Sequence, residues 1–140
     1  MKILAPVDGS ESSLEAVKRA CKLLAAAAEL SVTLISVHDD VALKHARSIV
    51  GSKAVDDYLR QLSDEDVAGA RKLLEQEGIK HEVVIRIGHV SQEIVDLADQ
   101  GGFDLIVMGN KGRSALRDLV IGSVAQRVLS LAKTPILLVK

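Results

Sequence analysis

Four positions near the end of the chain have the types and spacing to hold a phosphate: Gly109, Gly112, Gly122 and Ser123. They stand in the order Gly109-Asn110-Lys111-Gly112, then nine residues from Arg113 to Ile121, then Gly122-Ser123-Val124-Ala125. Glycine lets the main chain come close to a ligand and tolerates positive φ. A helix beginning at Ser123 leaves its first N–H groups without partners and carries partial positive charge, which suits an incoming anion. Ser123 can cap that helix and still offer its N–H or hydroxyl to a phosphate. Charge points the same way. From Gly109 to Arg127 the basic residues are Lys111, Arg113, Arg117 and Arg127 and the one acid is Asp118, in a chain of net charge −1. Arg113 adjoins Gly112 and is the best-placed cation. A basic loop beside a phosphate cradle favours a di- or triphosphate.

Something must carry that loop. An apolar run, Leu105 to Met108, leads into it, and similar runs occur at Ile3 to Val7, Val32 to Val37, Glu82 to Ile87 and Ile136 to Val139. They are rich in Val, Ile and Leu and mostly continuous rather than alternating, which predicts parallel strands covered on both faces. Between them, segments with helical spacing run over about 12–29, 55–77, 91–100 and 122–132. The apolar stripe Leu59, Leu62, Val67, Ala70, Leu73 and Leu74 illustrates one of them. This β-α alternation predicts a doubly wound α/β sheet with helices on both faces. Ser10 and Ser91 are expected to cap the first and third helices, with Gly78 and the Gly101-Gly102 pair as C-terminal stops. The stretch from Asp39 to Lys53 reads as an irregular loop, long enough to be functional. In such sheets ligands bind beyond the carboxyl ends of the strands, where the winding direction reverses. Asp8, Val37 and Gly109 all stand at such ends.

Composition narrows the partners. A 140-residue chain with 48% hydrophobic residues suits one domain spanning residues 1–140, with a core of its own. Its near-zero net charge makes no case for a nucleic acid or a membrane surface. Tyr58 and Phe103 are the only aromatic residues, too few to stack single-stranded bases. No apolar stretch approaches the ~20 residues of a membrane span, and the start shows no signal-peptide layout. A reducing, cytoplasmic setting is the expectation. The lone cysteine, Cys21, lies on a helical stripe with Leu14, Val17 and Leu24 and reads as a small buried hydrophobe. His38, His45, His81 and His89 lack metal-ligand spacing and are expected at the surface or in loops. Neither a G-x-x-x-x-G-K-[ST] loop, nor a G-x-G-x-x-G after the first strand, nor a G-x-S-x-G elbow is present. No residue stands out as a general base over a γ-phosphate.

Three blocks together resemble the universal stress protein family. They are the spaced glycines ending in Gly122-Ser123, the opening Ile3-Leu4-Ala5-Pro6-Val7-Asp8-Gly9-Ser10, and the close Lys133-Thr134-Pro135-Ile136-Leu137-Leu138-Val139. The likeness covers the whole chain and matches the family's ATP-binding branch. It implies a five-stranded parallel sheet in the order 3-2-1-4-5, of the adenine nucleotide alpha hydrolase-like kind, with strands one and four flanking the switch point. It also implies a site for ATP, or ADP or AMP, arriving with Mg²⁺. Pro6 and Val7 would line that site. Asp8 would serve the ribose or the metal ion, against the plainer alternative of capping the following helix. Val37 and Met108 would hold the adenine, against a plain core role. Gly109, Gly112, Arg113, Gly122, Ser123 and Val124 would form the phosphate side. Ala125 departs from the pattern, standing where a hydroxyl residue is common. The resemblance further implies a homodimer through the final strand, Ile136, Leu137, Leu138 and Val139, and a nucleotide-responsive regulator rather than a fast enzyme. The protein partner that reads its state is left open. Two alternatives stand beside that reading: a slow Mg²⁺-dependent ATPase or phosphotransfer protein, and a nucleotide-independent interaction module.

Overall fold

The computed structural model describes residues 1–112 and 120–140. Five strands form one all-parallel sheet: β1 (Lys2–Pro6), β2 (Ser31–Asp39), β3 (Lys80–Gly88), β4 (Leu105–Gly109) and β5 (Ile136–Val139). Their order is β3-β2-β1-β4-β5, as expected. Alternation along the strands feeds two cores. Ile3, Ala5, Val32, Leu34 and Val107 pack under α1 (Glu11–Leu23) and α3 (Ser52–Gln76). Leu4, Ile35, Ile106 and Met108 pack under α4 (Val90–Gln100) and α5 (Ser123–Leu131). Both faces of the central strands are thereby covered, which is why these strands read as unbroken apolar runs.

The chain winds outward from β1 through β2 to β3, then returns to the other side of β1 for β4 and β5. β1 and β2 stay paired as far as Pro6 and Ile35. β1 and β4 share only the register pairs Ile3 with Leu105 and Leu4 with Ile106. Beyond those pairs the two strand ends part, and a crevice opens at the reversal point.

Helix ends agree with the sequence in some places and depart in others. Ser10 caps α1, its Oγ accepting the Ser13 N–H at 3.2 Å, a bond worth about 1 kcal/mol. That helix stops at Leu23, short of the expected end, and the turn after it carries Glu29 at φ 53°. Gly78 and Gly102 take positive φ beyond α3 and α4, as anticipated. Ser91 is no cap. Helix α4 starts one residue earlier with His89 as its N-cap, and Ser91 is buried within its first turn. The expected loop from Asp39 to Lys53 is instead largely helix α2 (Asp40–Val50), capped by Asp39, whose carboxylate accepts from the N–H groups of Val41 and Ala42. This helix buries no residue of its own, so no core-facing stripe announced it. Cys21 is buried on α1 among core side chains, as its spacing implied.

Of the histidines, His45 and His89 are exposed as expected. His38 and His81 depart from that expectation. Both lie half-buried in strands, His38 within 2.8 Å of the Ser63 hydroxyl and His81 within 2.9 Å of the Ile79 carbonyl. A hydroxyl on α3 and the backbone carbonyl just before β3, neither of which periodicity reveals, hold them there.

Candidate functional site

The crevice between the ends of β1 and β4 is a cleft open to solvent, about 180 Å³ in volume. Its apolar wall comes from the sheet and α4. Pro6 and Val7 close β1, Val37 lies near the end of β2, Met108 near the end of β4, and Ile35, Val90 and Ile94 complete the wall. Met108 is also a buried member of the core below the cleft, so its two candidate roles coincide in one side chain.

The opposite wall is main chain. The loop leaving β4 runs through Asn110, Lys111 and Gly112, and its far limb returns at Gly122 to start α5. Asn110 ties the limbs together: its carbonyl accepts the Gly122 N–H at 2.6 Å, and its side-chain amide donates to the Val120 carbonyl at 2.9 Å. A Cβ on Gly122 would sit 3.3 Å from the Asn110 carbonyl oxygen, so the limbs touch. Gly122 is the N-cap of α5, and no side chain caps that helix. The first intrahelical bond runs from the Gln126 N–H to the Gly122 carbonyl. The N–H groups of Ser123, Val124 and Ala125 therefore precede the helical ladder, and all three residues line the cleft. An uncapped helix start opening into a cleft attracts anions. Side chains cap α1 and α2 but not α3, α4 or α5; among the described residues α5 is the helix whose first three residues all line the cleft.

Asp8 stands at the mouth, one residue beyond Val7. Its Oδ1 accepts the Ser10 N–H at 3.0 Å and shapes the turn into α1, where Gly9 takes φ 78°. Its Oδ2 faces the loop, only 3.1 Å from where a Cβ on Gly112 would sit. The carboxylate thus serves the turn with one oxygen and presents the other to the cleft. Gly109 has a packing reason of its own: a Cβ there would run into the carbonyl and hydroxyl of Ser12 on α1. Ser12 Oγ in turn accepts the Lys111 N–H at 3.3 Å and donates to Asn110 Oδ1 at 3.4 Å, fastening the loop to α1.

Pro6, Val7, Asp8, Val37, Met108, Gly109, Gly112, Gly122, Ser123 and Val124 meet in this one cleft. Arg113 lies outside the described residues, as does Arg117. Arg127 is exposed on α5 and does not line the cleft; Lys111 does. Asn110, Ser13, Ile35, Val90 and Ile94 had not been singled out. The α4 residues carried only an ordinary helical stripe, while Asn110 lay inside the glycine group with nothing to mark its clamping role. Among the described residues no cluster of three or more His, Cys, Asp or Glu side chains could hold a metal ion unaided.

A doubly wound parallel sheet with a cleft at its switch point, bordered by a glycine loop and a helix start, defines the class. The family follows from comparison: the universal stress protein family model matches residues 1–140, and the chain belongs to that family. It is 34% identical to the universal stress protein MJ0531 of Methanocaldococcus jannaschii, over 99% of this chain and 81% of the relative. It is 30% identical to MJ0577 of the same organism over 99% of this chain and 94% of that protein. The solved structure of MJ0577 superimposes with a TM-score of 0.86, covering 99% of this chain and 94% of the other. A universal stress protein solved in complex with cAMP is 26% identical, with a TM-score of 0.66, covering 100% of this chain and 97% of that one.

Proposed function

We propose that this universal stress protein binds ATP in the switch-point cleft and acts as a nucleotide-responsive regulator, with ADP or AMP as competing occupants. The observation that carries the reading is the uncapped start of α5 at Gly122-Ser123, opening into the same cleft as Asp8 and Lys111. The related protein in complex with cAMP supports the adenine nucleotide class. In this reading the main-chain N–H groups of Ser123 and Val124 and the Gly112 segment receive the phosphates. Ile35, Val37, Met108 and Ile94 offer an aliphatic wall to the base.

Mg²⁺ fits as a passenger of the nucleotide. One carboxylate oxygen, Asp8 Oδ2, faces the glycine loop where a side chain on Gly112 would intrude, and Mg²⁺ is commonly held by one or two carboxylates plus phosphates and water. Asp8 would hold the ion, and the ion would neutralise phosphate charge. We further place the protein in the cytoplasm, and assign to β5 an antiparallel pairing with a second copy through Ile136, Leu137, Leu138 and Val139. β5 is an outer strand whose Ile136, Leu137 and Leu138 are only half-buried, and unpaired apolar edges invite partners. Among the described residues, no helix is long and apolar enough to cross a membrane.

The test is calorimetric titration of nucleotide-stripped protein with ATP and Mg²⁺. Binding is expected in the native chain and lost in Gly122→Val, whose branched side chain would fill the phosphate side. ATP binding unaltered by Gly122→Val would remove the cleft assignment. Absence of binding in the folded native protein would remove the nucleotide reading itself.

A further inference from the structure

The sheet's other outer strand, β3, is nine residues long and has β2 on one side and no strand on the other. Natural edges are usually kept short, bulged, charged, proline-bearing or covered. This one contains no proline, and every residue of Lys80–Gly88 stays in register with β2. Two of its apolar side chains, Ile85 and Ile87, are 43% and 46% exposed. Their register partners on β2 are Ser36 and His38, so no apolar neighbour on that strand shields them.

Its charges are arranged symmetrically. Glu82 and Arg86 stand two residues to either side of Val84, and side-chain alternation puts all three on one face. Glu82 is exposed and accepts the Thr33 hydroxyl at 2.9 Å, which holds its carboxylate on that face. Arg86 makes no ion pair among the described residues.

We propose that the β3 edge docks a second copy of this chain, strand to strand and antiparallel, with the twofold axis at Val84. In that register Glu82 of each copy lies opposite Arg86 of the other, Val83 opposite Ile85, and His81 opposite Ile87. Neighbouring registers lose the match. Centring on Ile85 sets Arg86 against Val84 and Glu82 against Gly88, and centring on Val83 sets Lys80 against Arg86. Opposite charges facing each other across an antiparallel pair stabilise it, and like charges oppose it. Charge complementarity therefore selects one register and one occupant, a copy of the same strand. The surface is on the opposite side of the sheet from β5 and stands apart from the nucleotide cleft.

Cysteine crosslinking at the axis tests this directly. Directly opposed residues of an antiparallel pair have Cα atoms ~4.5–5.5 Å apart, inside the ~4.4–6.8 Å range of a disulfide. Val84→Cys is therefore expected to form a disulfide-linked dimer on mild oxidation, read on a non-reducing gel. The native chain, whose Cys21 is buried, should not. Adding Arg86→Glu or Glu82→Arg should cut the yield at least tenfold, and Glu82→Gln, which keeps an acceptor for Thr33, should also lower it. Mixing the Val84→Cys/Glu82→Arg and Val84→Cys/Arg86→Glu proteins should restore the crosslink, because each charge again meets its opposite. No crosslink in Val84→Cys would overturn the proposal, leaving the charges as guards of a solitary edge or as a site for a different protein. Equal crosslinking in every charge variant would overturn it as well, since random collision would then account for the bond.

Discussion

Replacing Gly109 with alanine tests whether this glycine serves packing before it serves any ligand. An added Cβ would lie 2.6 Å from the Ser12 carbonyl oxygen and 2.7 Å from its carbonyl carbon. Ordinary contact begins near 3.4 Å, so the first turn of α1 must retreat by about 0.8 Å from the end of β4. The obstructing atoms are backbone at the start of a helix that Ser10 caps and that packs along β4. They cannot swing aside as a side-chain tip would. Overpacking a tight contact costs ~1–3 kcal/mol, and a backbone obstacle places this case in the upper half of that range. The loss of glycine's freedom in the unfolded chain offsets at most about 1 kcal/mol. A net loss of about 2 kcal/mol in a chain of this size corresponds to a fall in Tm of roughly 6–10 °C.

Gly112→Ala provides the internal comparison. Among the described residues its new Cβ would meet Asp8 Oδ2 alone, at 3.1 Å, an oxygen at the end of a side chain and not backbone. Its Tm should move by less than about 3 °C, within the range of surface substitutions, while any affinity for Mg²⁺–ATP falls. Calorimetry gives Tm, and urea titration gives the midpoint with the slope held as a check on two-state behaviour. Equal shifts for the two variants, or a Gly109→Ala protein within about 2 °C of native, would refute the division of roles.

Leu137→Lys on β5, made in an Arg86→Glu background so that the β3 edge cannot pair, should give a monomer by light scattering; a persisting dimer mass there would reject the β5 interface. Asp99, though its burial favours the neutral form, is held below the usual carboxylate range by the hydroxyl and N–H of Thr134 and by the N–H and charge of Lys133. Its contribution to stability is then present above the unfolded value of ~3.9 and is lost as pH falls through the lower folded value. The gap in urea midpoint between native and Asp99→Ala should accordingly narrow from pH 6 to pH 2.5, and a constant gap would exclude the linkage. Burial raises the Cys21 thiol above its ordinary range, with Glu77 adding to the effect. Ellman's reagent should therefore modify Cys21 at least about tenfold more slowly in the folded chain than in urea, and equal rates would show that the α1 core opens freely.

The five strands were legible because both of their faces are buried, so each stood out as an apolar run between amphipathic stretches. The candidate cleft was legible because its lining is marked by spacing. Gly112 and Gly122 lie ten residues apart in sequence, yet the limbs that carry them meet where Asn110 bonds Gly122. Helix α2 was hidden because it buries nothing, and its one local sign, Asp39 as an N-cap, is equally at home in a turn. The cleft contributions of Val90 and Ile94 were hidden for the opposite reason: they look like any core stripe, and only the topology swings the start of α4 over the end of β1. His38 shows a third limit. Its partner Ser63 lies 25 positions away on α3, a pairing no local pattern records.

The construction of the cleft also bears on why its sequence pattern consists of glycines and a serine rather than acids and bases. The wall facing Asp8 is made of peptide groups: the loop limb through Gly112, the Asn110–Gly122 clasp and the free N–H groups opening α5. Such a wall holds an anion through fixed dipoles that need no titration and no reorganisation. Phosphoryl transfer asks for more, namely a positioned metal, a cation and a group that orients the attacking water. Asp8 and Lys111 are the charged side chains of the described lining, and Asp8 already commits one oxygen to the turn before α1. In the proposed reading, a nucleotide held in this cleft would meet the start of α5 and, through Ser12, the start of α1. That link between two helix starts is what the proposed regulatory role would use.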